Sequence, residues 1–221
     1  MFCLWSGPFG FFSLCSSIII NYVFAFFILR FKAAKIFLIF AVCANLSFLA
    51  VLKFTGLQLG ISFYALCAVS YLVEIYNEKN TSEKNNILSL SLYFSMFFKF
   101  VAGPIAKYKD IKSQIQKKNY NAEIFANGIH CFVCGLCKKL IFANTLKEFF
   151  VYTKALPIGD ITTLGAWLGI FAFGLSIYYE LSGYFDMALG LGKMFGFDLP
   201  KNFDYPYKAK SITEFWQSWN I

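Results

Sequence analysis

Runs of apolar residues about 20 positions long recur along this chain, and they constrain its fold more than any other feature. A helix needs about 20 consecutive apolar residues to cross the hydrocarbon core of a bilayer. Four runs have about this length, at residues 8–29, 36–52, 57–76 and 87–106. Two less uniform stretches follow, at residues 124–144 and 164–197. The sequence therefore predicts an all-α, polytopic transmembrane protein.

The composition excludes an ordinary soluble domain. Hydrophobic residues make up 58% of the 221 positions and charged residues only 14%, whereas a soluble domain carries about 25% charged residues. The first apolar run is not predicted to be a cleaved signal, because no basic segment precedes it. Arg30, Lys32 and Lys35 follow it instead, as they would flank a retained span.

The net charge of +8 lies mostly in short connections between the apolar runs. These connections are residues 30–35, residues 79–84, and a cluster formed by Lys107, Lys109, Lys112, Lys117 and Lys118. A nucleic-acid surface needs its charge concentrated on one solvated face, so no nucleic-acid partner is expected. Membrane lipids with anionic headgroups are the expected counterpart. The positive-inside rule leaves the orientation open, because both sides carry similar basic counts.

Three of the seven cysteines form a C-x2-C-x2-C series beside the only histidine, His130. The series consists of Cys131, Cys134 and Cys137. An iron–sulfur cluster would need a fourth ligand at a fixed distance, and none stands there, so no metal is expected. His130 is expected to pack or to lie at an interface rather than to act as a base.

Two ionisable residues lie within or near the ends of apolar runs, and they are candidate channel residues. They are Glu74 and Lys99, and Lys99 is followed by Gly103-Pro104. A charge at the centre of a membrane helix costs about 2.5–3.5 kcal/mol on insertion scales, so such residues usually face a cavity or a partner. Pro104 removes a helical hydrogen bond, which predicts a broken or re-entrant helix lining a cavity. Termination of a helix at the interface explains Gly103-Pro104 equally well.

The stretch from Tyr178 to Phe197 combines small and ionisable residues. Ala188, Gly192 and Gly196 recur at four-residue intervals, a spacing that allows two membrane helices to approach closely.

Glu180, Ser182 and Asp186 precede these small residues and are predicted to face a polar cavity. Asp186 and Lys193 share a helix face two turns apart, too far to pair directly. The alternative is a surface helix whose polar face contacts water.

The residues that follow Phe197 are predicted to form a polar, aromatic loop and then a short helix. Ser211 or Thr213 is expected to cap that helix, with Glu214 placed for a capping box from Ser211. The further channel candidates here are Asn202, Tyr205, Glu214, Trp216, Trp219 and Asn220. The alternative is an interfacial helix anchored by tryptophan.

Four stretches of this sequence resemble the membrane-bound O-acyltransferase family, in order and with compatible spacing from residue 60 onward. They are GISFYALCAVSYLVEIY, FFKFVAGPIAKYKDIKSQI, GLCKKLIFANTL and IYYELSGYFDMALGLGKMFGFDLPKNFDYPYKAKSITEFWQSWNI. The resemblance is strongest to the bacterial branch that modifies alginate, peptidoglycan and teichoic acid.

The resemblance implies a bundle of transmembrane helices around a central channel, with residues 1–221 forming a single membrane domain. It implies transfer of an acyl group, commonly acetyl, to hydroxyls of a cell-envelope or exported polysaccharide. The implied donor is acetyl-CoA or an acyl carrier, with no bound cofactor. The implied partner is an extracytoplasmic acyltransferase protein, and the implied location is the inner (cytoplasmic) membrane.

The sequence departs from the family pattern at two positions. Relatives usually read Trp-His where this chain has Trp219-Asn220, and they commonly have aspartate at the position of Asn144. The family's principal histidine is expected beyond Ile221, so no catalytic residue is assigned. We expect a C-terminally truncated chain that is inactive alone, and acyl turnover by the purified 221-residue chain would contradict this.

Two other classes remain open. A catalytically inactive assembly or binding subunit would explain Asn220 and the missing histidine. A transporter would also use broken helices and buried carboxylates, but its expected internal repeats are not visible between the two halves of the sequence.

Overall fold

The computed structural model describes residues 7–54, 61–77, 86–99, 106–116, 121–157 and 159–219. The described residues are helices and loops, with one isolated bridge between Phe203 and Trp219. The chain divides into two compact units. The first unit comprises residues 1–101 and 105–118, and the second comprises residues 102–104 and 119–221. The single membrane domain expected for residues 1–221 stays a prediction.

The first unit contains five α-helices among the described residues. They are α1 (Gly7–Arg30), α2 (Ala34–Phe54), α3 (Ile61–Asn77), α4 (Ile87–Ser95) and α5 (Tyr108–Gln116). Helix α1 packs against α2, α3 and α4, and α4 packs against α5. Helices α1, α2 and α3 form in apolar runs, whose backbone polar groups must all be satisfied within the segment when it lies in lipid.

A buried pair of amides joins α1 to α2. Asn21 and Asn45 exchange two hydrogen bonds, with donor–acceptor distances of 3.1 and 2.8 Å. Each Nδ2 also donates to a carbonyl four residues earlier, that of Ser17 and that of Ala41. Interhelical amide bonds of this kind hold membrane helices together.

Aromatic rings fill the core between α3, α4 and α5. Tyr71, Tyr93 and Tyr108 are almost completely buried, and the Tyr108 ring stands edge-on to the other two at 5.0 and 5.5 Å. The Tyr93 hydroxyl donates to the carbonyl of Ala106 at 3.0 Å. This bond anchors the residues that lead into α5.

The second unit consists of two long helical stretches and a C-terminal loop and helix. The first stretch is α6 (Ala122–Cys137), a π-helical segment (Lys138–Ala143) and α7 (Asn144–Ala155). The second is α8 (Thr163–Met194), followed by a 3₁₀ turn (Pro206–Lys208) and α9 (Ile212–Ser218). The two long stretches run antiparallel, because Gly128 lies against Gly190, and Thr153 near the other end lies against Gly169.

Glycines bring α6 and α8 into backbone contact. A Cβ atom on Gly135 would lie 2.6 Å from the carbonyl oxygen of Gly183, and one on Gly190 would lie 2.5 Å from the backbone nitrogen of Phe132. Real Cβ atoms do not approach backbone atoms so closely. The helices can therefore adopt this separation only with glycine at these positions, as in other small-residue membrane contacts.

The predicted contact through Ala188, Gly192 and Gly196 was wrong in its register. Gly196 follows α8 with a φ of 79° and ends the helix, because the N–H of Phe197 donates to Gly192 and that of Gly196 to Lys193. This is the Schellman arrangement, which favours glycine at the left-handed position. The space beside Gly192 is taken by Leu199 of the following loop.

Four described helical stretches are long and apolar enough to cross a membrane, which confirms an all-α membrane protein. They are Gly10–Arg30, Ala34–Val51, Ala122–Ala155 and Thr163–Met194. Helix α3 contains a shorter apolar helix, Ala65–Asn77.

The fourth predicted span, residues 87–106, was wrong as a continuous helix. Helix α4 ends at Ser95, Met96 is extended, and a 3₁₀ segment covers Phe97–Lys99. The Ser95 hydroxyl donates to the carbonyl of Leu92, a local bond that competes with helix propagation.

Candidate functional site

A π-helical segment interrupts the first long helix of the second unit at Lys138–Ala143. The N–H of Asn144 reaches back five residues to the carbonyl of Lys139, which is the hydrogen bond that defines this geometry. Single-turn π segments inside α-helices are rare and frequently occur at functional sites. Here the segment begins with the two consecutive lysines of the chain's GLCKKL sequence.

Lys138 forms an ion pair with Asp186 of α8. Its Nζ atom lies 2.5 Å from Oδ2, and the two side chains are 34% and 26% exposed. The thiol of Cys131 donates to the backbone carbonyl of Asp186 at 3.3 Å. The neighbouring contact between Gly135 and Gly183 brings the two helix backbones close enough for these short side-chain contacts to form.

Lys139 contacts Tyr184 on the same neighbouring helix. Its Nζ atom donates to the Tyr184 hydroxyl and lies 3.9 Å from the centre of the ring. In the described residues, no carboxylate forms an ion pair with Lys139. Around Asp186, the π segment therefore supplies two lysines and α8 supplies one paired carboxylate. These described side chains together carry a net positive charge between two apolar helices.

Sequence reasoning missed Lys138 and Lys139 as candidate site residues. It correctly expected that Asp186 does not pair with Lys193, since the partner of Asp186 is Lys138. The signal was available, because two adjacent lysines inside an apolar run are as unusual as the acids that were chosen. The sequence did not show which helix these lysines contact, and only the three-dimensional structure identified it as α8.

Within the described ranges, the other two polar candidates of α8, Ser182 and Glu180, do not form an ion pair as Asp186 does. Ser182 is 2% exposed, and its hydroxyl has no hydrogen-bond partner in the part of the chain that the structure describes. Glu180 is half-buried and forms no ion pair with a described residue. A buried unpaired hydroxyl costs free energy, so Ser182 stays a candidate for contact with another group.

An aromatic cluster joins α8 to the C-terminal loop and α9. The ring of Phe203 lies 5.9 Å from that of Tyr178, 5.4 Å from that of Phe185 and 5.2 Å from that of Trp219. Trp219 also stacks on Phe215 at 5.4 Å. A backbone bond from Asp204 to the carbonyl of Ser218 fixes the loop against the end of α9.

Two tyrosines of this loop are exposed. Tyr205 is in the left-handed region, with a φ of 45°, an unusual conformation for a bulky residue, and the Nζ atom of Lys208 lies 4.6 Å from its ring centre. The Tyr207 hydroxyl donates to the carbonyl of Gly174 at 3.0 Å. Partial desolvation of this hydroxyl raises the pKa of Tyr207 above its ordinary value, although the side chain as a whole is exposed.

The predicted cap of the last helix is confirmed at Ser211. The N–H of Glu214 donates to the Ser211 hydroxyl at 3.1 Å, while the Glu214 carboxylate accepts from the backbone of Lys210 at 2.8 Å. Glu214 therefore stands at the position of a capping box, but its carboxylate accepts from the N–H of the residue before the cap and not from that of Ser211. Trp216 is 64% exposed, and Asn202 is buried in the loop before the aromatic cluster.

Glu74 belongs to the first unit, where it caps α5. Its two carboxylate oxygens accept the backbone N–H groups of Tyr108 and Lys109, each at 2.9 Å. A carboxylate is favourable at this position because the helix N-terminus carries a partial positive charge. Glu74 also lines a cavity of about 580 Å³.

Several predicted site residues lie outside the described residues. They are Gly103, Pro104 and Asn220, and Lys99 is described only as the last residue of a 3₁₀ segment. Whether Gly103-Pro104 breaks a helix beside a channel stays a prediction, as does the channel itself.

His130 is exposed on α6, with its ring nitrogens 3.8 and 3.9 Å from the sulfur of Cys134. Among the residues that the structure describes, no three or more histidine, cysteine or acidic side chains are grouped to hold a metal ion.

Comparison with known proteins gives a consistent set of relatives. The family model of the membrane-bound O-acyltransferases matches residues 61–221. The chain is 38% identical to the probable alginate O-acetylase AlgI of Pseudomonas aeruginosa, over 75% of the chain and 31% of that protein. It is 29% identical to a peptidoglycan O-acetyltransferase of Helicobacter pylori, over 94% of the chain and 49% of that protein.

A more distant relative is a teichoic acid D-alanyltransferase of Bacillus subtilis, 28% identical over 74% of the chain and 42% of that protein. The chain thus spans about a third to a half of the length of these curated relatives.

Proposed function

Since the chain belongs to the membrane-bound O-acyltransferase family, we propose that it serves in transfer of an acetyl group to hydroxyls of a cell-envelope or exported polysaccharide. The observation that carries the proposal is the 38% identity to an alginate O-acetylase over 165 residues. The peptidoglycan O-acetyltransferase match supports the same acyl group and the same kind of acceptor. The D-alanyltransferase matches name a different acyl group on a teichoic acid.

The proposed donor is acetyl-CoA or an acyl carrier, and the proposed acceptor is reached with an extracytoplasmic partner protein. A cell inner (cytoplasmic) membrane is the proposed location, since one side then meets the cytoplasmic donor and the other the envelope. These parts of the proposal rest on the family and on the four candidate spans.

The chemistry of the proposed reaction assigns a role to the lysines of the π segment. A hydroxyl that attacks an acyl carbonyl generates negative charge on the carbonyl oxygen, and positively charged or hydrogen-bonding groups lower the energy of that state. Lys139 and the Tyr184 hydroxyl are the described groups in the second unit that suit this role, because Lys139 has no carboxylate partner there. Lys138 and Asp186 hold the two helices in the required register.

The reaction also needs a base to accept the hydroxyl proton, and histidine is the usual choice because its pKa lies near neutral pH. The only histidine of this sequence is His130, which is exposed and lies beside Cys134. Asn220 cannot accept the proton near neutral pH. Asn220, at the position where the family pattern has histidine, favours a second candidate function, a non-catalytic subunit that binds the donor or the partner protein.

The test is to disrupt the gene in its host and to measure base-labile acetate on the purified envelope and exported polysaccharides. We expect loss of ester-linked acetate from one polysaccharide and its return on complementation. Unchanged acetate on every polysaccharide would contradict the proposal. The purified full-length product of the gene, incubated with labelled acetyl-CoA and the affected polysaccharide, then separates the two candidates, because a non-catalytic subunit gives no turnover.

A further inference from the structure

The cavity of the first unit is lined by charges of both signs. It has a volume of about 580 Å³ and lies between the last turns of α3 and the start of α5. Its polar lining comes from Ser70, Glu74, Asn77, Lys107, Lys109 and Asp110. Cavities of this size hold small organic ligands or parts of larger ones.

Glu74 is committed to the protein itself. Both of its carboxylate oxygens accept backbone N–H groups at the start of α5, at 2.9 Å each. The same two bonds occupy the N–H groups of Tyr108 and Lys109, two of the donors that an anion would otherwise meet at this helix end. A ligand of the cavity must therefore be recognised by the remaining side chains.

Lys109 also lines the cavity but has interactions of its own, so Lys107 and Asp110 supply the two opposite charges that remain for a ligand. Both are exposed residues that line the cavity, and neither forms an ion pair with a described residue. They do not pair with each other, although they are close in sequence, because Lys107 precedes α5 and Asp110 lies within its first turn. A single ligand that carries both charges would satisfy them together.

We propose that this cavity binds the headgroup of a phospholipid that carries a phosphate and a primary ammonium, as phosphoethanolamine does. Lysine is a common phosphate ligand in proteins, so Lys107 takes the phosphate. Asp110 accepts hydrogen bonds from the ammonium, and Ser70 and Asn77 offer further polar contacts. This binding is independent of the acyl-transfer function proposed above.

The surrounding helices favour a lipid over a soluble compound. Helix α3 ends in an apolar stretch, Ala65–Asn77, and its last turns supply Glu74 and Asn77 to the cavity. Helix α5 buries Tyr108 and Ile111 in the core of the unit and exposes Lys109 and Asp110, so charged side chains surround the cavity at the end of the apolar helix α3. Lipid headgroups lie at this level of a bilayer, where the end of an apolar helix meets water.

The lining also distinguishes among lipids. A phosphatidylglycerol headgroup has no ammonium, so Asp110 would face it with a like charge. A phosphatidylcholine headgroup has a quaternary ammonium without N–H groups, and it cannot donate hydrogen bonds to Asp110. Phosphatidylethanolamine alone among these three satisfies both Lys107 and Asp110.

The test is native mass spectrometry of the detergent-purified chain titrated with each of these three lipids at equal chain length. We expect phosphatidylethanolamine to bind about tenfold more tightly than the other two, the scale of one charge-assisted hydrogen bond. Equal binding of phosphatidylglycerol would overturn the proposal, because it would show attraction to net charge alone.

Variants assign the two charges. Lys107→Gln is expected to weaken phosphatidylethanolamine binding about tenfold, and Lys107→Arg to retain it. Asp110→Asn is expected to remove the preference over phosphatidylglycerol. Lys154→Gln and Asp160→Asn make the same chemical changes at exposed positions of the second unit and should change nothing. Wild-type lipid preference in both Lys107→Gln and Asp110→Asn would overturn the assignment.

Soluble competitors separate headgroup recognition from attraction to phosphate. Glycerophosphoethanolamine in large excess is expected to displace the bound lipid, whereas glycerophosphate at the same concentration is not. Displacement by both would contradict a site that reads the ammonium. Displacement by glycerophosphoethanolamine at a concentration equal to that of the lipid would identify a soluble ligand and overturn the lipid proposal.

Discussion

The first unit joins α1 to α2 through neutral amides, whereas the second unit joins α6 to α8 beside an ion pair. Asn21 and Asn45 are 0% and 4% exposed and bond to each other and to carbonyls of their own helices. Lys138 and Asp186 are 34% and 26% exposed and lie where a π segment begins. Both pairs occupy long apolar helices, yet their surroundings differ.

The difference separates a structural contact from a candidate functional one. The amide pair is closed, since each group finds a partner within the two helices, and a satisfied buried network rigidifies a core. The ion pair is partly open, and the adjacent Lys139 adds a second positive charge without a described carboxylate partner. Ionisable groups at such cost inside apolar helices usually serve a ligand or a reaction.

The largest expected effect comes from the backbone contact that carries the ion pair. Gly135→Ala would place a methyl group 2.6 Å from the carbonyl oxygen of Gly183, so the helices must separate, at a cost of about 3 kcal/mol. Loss of most folded protein is expected, measured by size-exclusion chromatography and thermal unfolding in detergent. The control is Gly174→Ala on α8, where the new methyl group has no neighbour closer than 3.9 Å.

Removal of one partner of the ion pair should have the next largest effect. Asp186→Ala leaves Lys138 without its carboxylate, and the expected loss of stability is about 2 kcal/mol, between the values for surface and buried pairs. Thermal unfolding of the purified variant measures it. The double variant Lys138→Met/Asp186→Leu should recover most of this loss, and a double variant no more stable than Asp186→Ala would show that the pair contributes through more than its charge balance.

The amide pair should respond less to the same treatment. Asn45→Ala removes one partner and is expected to cost about 1 kcal/mol, the scale of interhelical hydrogen bonds in membranes. Asn21→Leu/Asn45→Leu should come close to wild type, because no polar group is then left unpaired. If Asn45→Ala cost more than Asp186→Ala, the contrast between the two pairs would be reversed.

The smallest expected effect lies at the helix cap. Ser211→Ala removes the bond to the N–H of Glu214 and should destabilise α9 by about 0.5–1 kcal/mol. Because α9 carries Trp216, and Trp219 follows its last residue, local loosening is expected as a red shift of tryptophan fluorescence without a change in overall unfolding temperature. Thr213→Ala on the same helix is the matched control, and an equal shift there would contradict a specific cap.

Much of the fold could be predicted from the sequence, because apolar length alone identifies membrane helices. The runs at residues 8–29 and 36–52 match α1 and α2 within a few residues, and the serine cap before α9 was identified from its residue types. The continuous span at residues 87–106 failed because hydropathy does not register a local break such as the one at Met96.

The contacts of the site could be predicted only in part. Glycine spacing indicated close packing of α8, but several registers fit the same residues, and the observed one uses Gly183 and Gly190. Asp186 was chosen for its charge, yet its partner Lys138 lies 48 positions away in the sequence. Pairing over such a distance depends on how two helices are rotated about their axes, which neither composition nor periodicity determines.

The most direct test of the contrast between the two pairs is polysaccharide acetylation per folded protein molecule in the two double variants. Each double variant would replace the wild-type gene at its own locus, and protein abundance would be measured in parallel. The two variants are Lys138→Met/Asp186→Leu and Asn21→Leu/Asn45→Leu. We predict that ester-linked acetate falls at least about tenfold in the ion-pair variant, because loss of the pair displaces the helix register that positions Lys139, and stays near wild type in the amide variant. Equal acetate in the two variants would contradict the claim that the lysine-bearing helix pair serves the reaction while the amide pair serves the fold.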